Sequence, residues 1–494
     1  MSRPTPAGRV PARKPIPAGF VSVWMRPLPG FLAAALGLSA LTATAGLHAQ
    51  AGSLVAPPTA AVPATTASPV PAPPSTSGSS AQPAPDLAGA MQAFAAGLEA
   101  KERKDYAQFR AGIERAVELL PDPTRLLYRL AVARLHAGDA PGAVAAYRRQ
   151  VDAGLFRDPR QDPELAALLP EPGFQAALER LDALKRPLMA SSPAFELPER
   201  DLIEGIAHDP QSGAFFLSSV VQRKIVRRTK DGQVSDFVPS GAHGLFSALG
   251  LAVDARNRRL WVVSAGIPQT RDLKTADRRK SALLAFDLDT GAWQRTIDAP
   301  PGARGWNDLE LATDGSVFVS DPEAKALLRV KPDGGILTLL AGEEYLGSPG
   351  GLALSADGKL LYVADWSNGL GVLDLEANAQ SAARWTWMRP PADSTVLGID
   401  GLRRHGNRLI AIQNGIAPPR ILSLELAADG RSLVAARTLE RNLAEWDEPT
   451  LGVLVDGALW YVANSHWPSF PGDDSAPTDV TKLSPTSVRR LALD

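Results

Sequence analysis

The chain has no cysteine in its 494 residues. That absence excludes disulfides, thiolate metal sites, thiol nucleophiles and a lipid-modified N-terminal cysteine, so stability must come from packing. Neither sign of charge dominates, with 52 Lys+Arg against 53 Asp+Glu. Residues 1–51 hold five of those basic groups and no acidic one, which leaves 47 against 53 in the remainder. Such mild acidity gives no electrostatic basis for binding nucleic acid. No apolar run reaches the roughly 18 residues that a membrane span requires. There is also no Ser-based elbow, phosphate loop or dinucleotide fingerprint.

What is present begins with an address label. Phe31 to Leu41 is a short apolar run after a basic start, and small residues lead from it to the triplet Ala49-Gln50-Ala51. This is the pattern of a secretory signal and its peptidase site, so residues 1–51 are expected to be removed near Ala49 or Ala51. Met25-Arg26 forms a compact basic start of its own, which makes Met25 the expected true start. The expected location is periplasmic or secreted, with no stable membrane anchor after cleavage. Residues 52–85 carry no charge and are dominated by Pro, Ala, Ser and Thr. Such a stretch cannot bury enough apolar surface to offset its ordering entropy, and it reads as a disordered linker.

From 86 to 187 apolar residues fall at helical spacing, with breaks at Pro121-Asp122-Pro123 and Gly138-Asp139. Gly97, Asp105, Ile113 and Pro121 recur as Ala131, Asp139, Tyr147 and Leu155, an offset of 34 residues. That period resembles tetratricopeptide repeats, here about two repeats and a terminal helix. A plain pair of helical hairpins is the alternative. About three repeats are needed for independent stability, so the segment is expected to lean on its neighbour and to offer a surface to a protein partner.

After Ser192 the texture changes to short β-rich runs broken by Asp-Gly and Gly-Asn turns. Six segments share a strand–turn–strand plan, starting at Glu204, Leu249, Asn307, Gly350, Asp400 and Thr450. The starts are 45, 58, 43, 50 and 50 residues apart, the length of a four-stranded blade. A β-sandwich does not repeat one motif six times, so 192–494 is expected to be a six-bladed β-propeller, mainly β overall with the small helical domain before it. Ser192 to Leu197 would supply the outer strand of the last blade.

The repeat plan over about 200–494 resembles the SMP-30/gluconolactonase/LRE-like family, and Ser348 to Gly369 also resembles an NHL repeat. Pseudo-rotational symmetry would bring the six starting residues to the mouth of the central channel. Two carboxylates, Glu204 and Asp400, and the carboxamide of Asn307 would meet there. Carboxylates gathered away from water raise each other's pKa, and a cation is the usual remedy. Oxygen donors favour one divalent cation, with Ca²⁺ first and Mg²⁺, Mn²⁺ or Zn²⁺ as alternatives.

The resemblance implies an axial cation held by a Glu, two Asn and an Asp. Glu204, Asn307 and Asp400 match three of these, whereas Gly350 stands where the family places its second Asn. The family's Arg two residues before the blade-three Asn is here Gly305. The chemistry implied is metal-assisted hydrolysis of a small lactone or ester, with Asp400 as the proton acceptor. His243, Trp306 and Glu448 are the candidates for substrate contact, and Glu448 also for the missing ligand. Recurrent Asp321, Asp365 and Asn464, at the ends of second strands, read as turn formers. The competing reading is a non-catalytic propeller that binds a protein or glycan, with structural residues plugging its channel.

Overall fold

The computed structural model describes residues 84–379, 381–470 and 479–494. The segment read as a secretion signal and the linker as far as residue 83 lie outside the described residues.

The helical region comprises α1 (Leu87–Glu102), α2 (Tyr106–Leu119), α3 (Leu127–His136), α4 (Ala140–Asp152) and α5 (Pro172–Leu184). Three of these helices start on an aspartate whose carboxylate accepts an otherwise orphaned backbone N–H: Asp86 from Gly89 at 2.9 Å, Asp105 from Gln108 at 3.1 Å and Asp139 from Gly142 at 2.8 Å. Asp105 and Asp139 open the second helix of each hairpin, so the 34-residue period marks one helix start repeated. The first hairpin crosses at glycine, because a Cβ on Gly112 would stand 2.7 Å from the Gly97 Cα. Among the described residues no helix is long and apolar enough to cross a membrane.

Six four-stranded antiparallel sheets follow, and they form a six-bladed β-propeller. The first strands of the blades are Ile203–His208, Ser247–Asp254, Leu309–Leu311, Pro349–Leu354, Ile399–His405 and Gly452–Val455. They touch one another in succession and so line the axis. The last sheet is completed by Ser192–Glu196, which pairs with Ser487–Ala492 and closes the ring with chain from its own start. Glu440 pins that closing segment, accepting from the backbone N–H of Ala190 and Ser191 and from the Tyr461 hydroxyl. The core lies between blade faces. Phe216, Leu251, Val262 and Phe286 pack between blades one and two, and Tyr362, Leu402, Ala411 and Leu424 between blades four and five. Each fully buried side chain of this kind stabilises by about 1.5–3 kcal/mol.

One local feature recurs at the axis. In four blades the first strand bulges at its start: pairing jumps from Ile203↔Ser219 to Ile206↔Leu217, from Ala248↔Ser264 to Leu251↔Val262, from Pro349↔Asp365 to Leu352↔Val363 and from Ile399↔Gln413 to Leu402↔Ala411. The residues passed over are Glu204-Gly205, Leu249-Gly250, Gly350-Gly351 and Asp400-Gly401. A bulge leaves its extra residue unpaired and re-aims the side chains around it. The second residue is glycine because the next blade is too close for a Cβ. On Gly205 it would come 2.6 Å from the Leu249 carbonyl, on Gly250 3.1 Å from that of Asn307, on Gly351 2.2 Å from that of Asp400 and on Gly401 2.7 Å from that of Thr450. Thr450 Oγ1 then donates to the Glu204 carbonyl at 2.9 Å, joining blade six to blade one.

This contact makes neighbouring glycines unequal. A Cβ on Gly350 would meet nothing nearer than 3.8 Å. Gly351→Ala is therefore expected to destabilise the protein by about 1–3 kcal/mol, the usual range for overpacking, while Gly350→Ala stays within about 0.5 kcal/mol of the parent. Paired urea titrations of the two variants measure the difference.

Candidate metal centre and active site

Glu204, Asn307 and Asp400 occupy the starts of the innermost strands of blades one, three and five. Asn307 is held by its backbone, its N–H donating to the Ser320 carbonyl at 3.0 Å and its own carbonyl accepting from Gly250 at 3.1 Å. The Gly350 Cβ position lies 3.8 Å from Asn307 Nδ2 and 4.0 Å from the Asp400 carbonyl, so blades three, four and five meet at this point.

Each axial carboxylate is fixed at one oxygen by a neutral donor. Trp467 Nε1 donates to Glu204 Oε2 at 2.5 Å, and Asn414 Nδ2 donates to Asp400 Oδ2 at 2.7 Å. The other oxygen of each carries no hydrogen bond among the described residues. Burial pushes the Glu204 carboxyl well above the ordinary range, and Asp400 raises it further against the Trp467 hydrogen bond, with Glu448 and Asp308 adding to the rise. Burial likewise lifts Asp400 to about 6, opposed by Asn414 and reinforced by Asp308. Glu448 is lifted to about 7 by burial, by Asp400 and by its neighbour Asp447. Glu448 thus shares the electrostatic environment of the axial pair.

A second acidic layer lies further along the channel. Asp308 is fully buried; its Oδ1 accepts from the Leu309 N–H at 2.8 Å, and Arg403 Nη1 stands 3.7 Å from its other oxygen. Burial raises Glu310 to about 7 despite the same arginine. Arg403 therefore offsets the inner layer, whereas none of the influences on Asp400 comes from a basic side chain.

Two of the expected contact residues stand elsewhere. His243 is on the outer flank of blade two, its ring stacked at 5.5 Å on Trp293 of the outermost strand. Its place in a loop that leads to an innermost strand did not carry it to the axis. Trp306 is 0% exposed and packs in the core with Trp261, Leu328 and Val319, because the chain turns inward one residue before Asn307. Asp365 accepts from the N–H groups of Gly347, Ser348, Ser367 and Asn368, and Asp321 from those of Arg304 and Ala324, which is turn chemistry. Asp308 and Asn414 were missed in the sequence. Asp308 adjoins Asn307, but an acidic residue after an asparagine is an ordinary turn pattern. Asn414 ends a second strand, like Asn464, yet it faces the axis.

Among the described residues no three His, Asp or Glu side chains gather into a metal-binding group. The axial set is instead two carboxylates and a carboxamide, all of them hard oxygen donors. Two carboxylates without a basic partner, each with one oxygen unengaged, fit a divalent cation whose remaining positions are filled by water.

Residues 202–403 match the SMP-30/Gluconolactonase/LRE-like region. The matched stretch contains Glu204, Asn307 and Asp400. No curated protein matches the chain. Among solved structures, the chain is similar to a gluconolactonase from Xanthomonas campestris at 18% identity and a TM-score of 0.41, over 63% of this chain and 99% of that one. It is also similar to a calcium-binding protein, regucalcin, from Agrobacterium tumefaciens at 16% identity and a TM-score of 0.41, over 61% and 95% of the two chains. A luciferin-regenerating enzyme aligns at 13% identity with a TM-score of 0.42, over 62% and 95%. At these values the family match and the site geometry, and not the structural likenesses, carry the reading that follows.

The raised carboxyls set a pH dependence. An acid whose folded pKa is raised binds its proton more tightly in the folded state, so its contribution is present below about pH 4 and lost as pH rises through 6 to 7. Metal-free Glu204→Gln and Asp400→Asn variants are therefore expected to gain Tm over the parent as pH goes from 4 to 8, with little difference at pH 4. Added Ca²⁺ raises the parent's Tm and shrinks that difference. Thermal melts across pH, with and without the cation, provide the check.

Proposed function

We propose that the protein is a metal-dependent hydrolase of small lactones or esters, similar in chemistry to the family that residues 202–403 match. The observation that carries this reading is that buried Glu204 feels the Asp400 charge, that Asn307 and Asp400 both border Gly350, and that no basic group is among the influences on Asp400. These three side chains would hold one divalent cation, Ca²⁺ by the hardness of its donors. When bound, such an ion supplies polarisation of an acyl carbonyl and a lowered pKa for water.

In this reading the chain's own groups handle the proton. Asp400 accepts a proton from water as the hydroxyl adds to the acyl carbon, through a lone pair that the cation leaves free. The acyl C–O bond then breaks, and the alkoxide takes a proton to give a hydroxy acid or an alcohol. Glu448, whose carboxyl is pushed up to about 7 by burial and by Asp400, would donate that proton. Asn307 orients the carbonyl, and Trp467 fixes the Glu204 carboxylate. The fourth donor of the family pattern is absent at Gly350, where there is room for a side chain facing Asn307. The signal-like pattern of residues 1–51 supports a periplasmic or secreted location in the same reading.

Metal analysis of the purified protein and turnover of a lactone and aryl-ester panel test the reading. Asp400→Ala is expected to lower kcat by about 10²–10⁴, the range for losing a general base, and Glu204→Gln to weaken cation binding. Gly350→Asn is expected to lower the Kd for Ca²⁺ by supplying the fourth donor. A wild type that binds no divalent cation and turns over no substrate would instead identify a binding propeller.

A further inference from the structure

The helical region meets the propeller on the face where the axial residues lie. In blades four and five, the second-to-third-strand turns at 366–368 and 414–419 stand beside the starts of the innermost strands, through the pairs Pro349↔Asp365 and Ile399↔Gln413. Helical-region side chains reach both turns and the lead-in to the Asp400 strand.

Three contacts converge there. Asp122, in the Pro-Asp-Pro break before α3, accepts from Thr395 Oγ1 at 2.6 Å and from the Val396 N–H at 2.8 Å, five and four residues ahead of Asp400. Arg125 donates to the Gly415 carbonyl at 2.9 Å and to the Ser367 carbonyl at 3.4 Å, with its guanidinium 5.1 Å from the Trp366 ring centroid. The Ala153 carbonyl, just after α4, accepts from buried Arg420, whose Nε donates to Gln413 Oε1 at 2.5 Å. The helical region thus holds Gly415 directly and Gln413 through Arg420, on either side of Asn414.

The grip is continuous with the site. Trp366 lies flat against Gly415, where a Cβ would come 2.4 Å from its Nε1. The same Nε1 donates to Asn414 Oδ1 at 3.4 Å, and Asn414 Nδ2 in turn donates to Asp400. On Asp400 the one hydrogen bond found among the described side chains therefore comes from a residue whose neighbours are held by another region of the chain. A docking role alone would be met by the outer strands, where Leu188 already pairs with Arg441.

We infer that the helical region is the positioning element of the axial site, with Arg125 acting through Trp366 and Gly415 to set Asn414 against Asp400. The inference rests on the reading of Asp400 as a working carboxylate, and it extends that reading to a region outside the matched stretch. Arg125 is a positioning residue; it touches neither cation nor substrate. Its planar fork engages two carbonyls and a ring face together, which a lysine cannot reproduce.

Full-length Arg125→Ala, Arg125→Lys and Trp366→Phe proteins test this against the parent. Outer partners of ligands typically contribute about 10–100-fold, and a loss of that size is expected in Ca²⁺ affinity by calorimetry and in kcat, with KM little changed. Lysine at 125 should not rescue it. Hydrogen exchange should rise in the 396–402 and 412–416 peptides and stay at parental levels in blades one to three. Faster exchange confined to those peptides supports the inference even if the parent binds no cation, in which case the hydrolase reading alone falls. Unchanged exchange there, parental Ca²⁺ affinity in a cation-binding protein, or full rescue by Arg125→Lys overturns it. Should Arg125→Ala unfold globally, Trp366→Phe, which keeps an aromatic face and loses the N–H, decides by the same readouts.

Discussion

The structure depends on how closely its six blades approach one another at the axis. In four of the blade-to-blade contacts a glycine on one innermost strand stands against a main-chain carbonyl of the next, too close for a side chain without displacement. The closeness is what makes the centre of the ring narrow enough for side chains from different blades to share one environment. It also explains the bulges: an extra residue at the start of the strand lets the glycine face the neighbouring blade while the residue before it takes the axial place. Glu204 and Asp400 are functional candidates because Gly205 and Gly401 follow them.

From that closeness comes the electrostatics. Two carboxylates brought together with a carboxamide, partly out of water and with a third carboxylate nearby, hold their protons to unusually high pH. The protein separates two acidic layers along the channel. The inner one, Asp308 and Glu310, faces Arg403; the outer one has only the N–H groups of Trp467 and Asn414. Arginines placed deep, with neutral donors at the mouth, leave the outer layer open to an added positive charge. Unpaired carboxylates are costly to keep, and their persistence at a shared point is what gives the site its chemical meaning.

The helical region extends the same logic. Its aspartate caps and glycine crossing make two hairpins, which are short for independent stability. It gains support by sending Asp122 and Arg125 into turns of blades four and five, and those turns carry Asn414. Support and site geometry are thereby linked through one small surface, where a half-buried arginine satisfies carbonyls that would otherwise lack donors.

Much of this was legible in the sequence. Strand–turn–strand segments at near-constant spacing indicated six blades, but the bulges and the glycine contacts behind them came only with the structure. Repeat symmetry then aligned Glu204, Asn307 and Asp400 without any coordinates. Side-chain direction was not legible. Trp306 adjoins Asn307 yet turns into the core, and His243, in the loop six residues before Leu249, ends on the outer flank of blade two. Nor could the sequence show that Asn414 faces the axis, or that Arg125 reaches it from 275 residues before Asp400. Local pattern determines which residues are equivalent; what each one touches is decided only when separate blades and helices pack together.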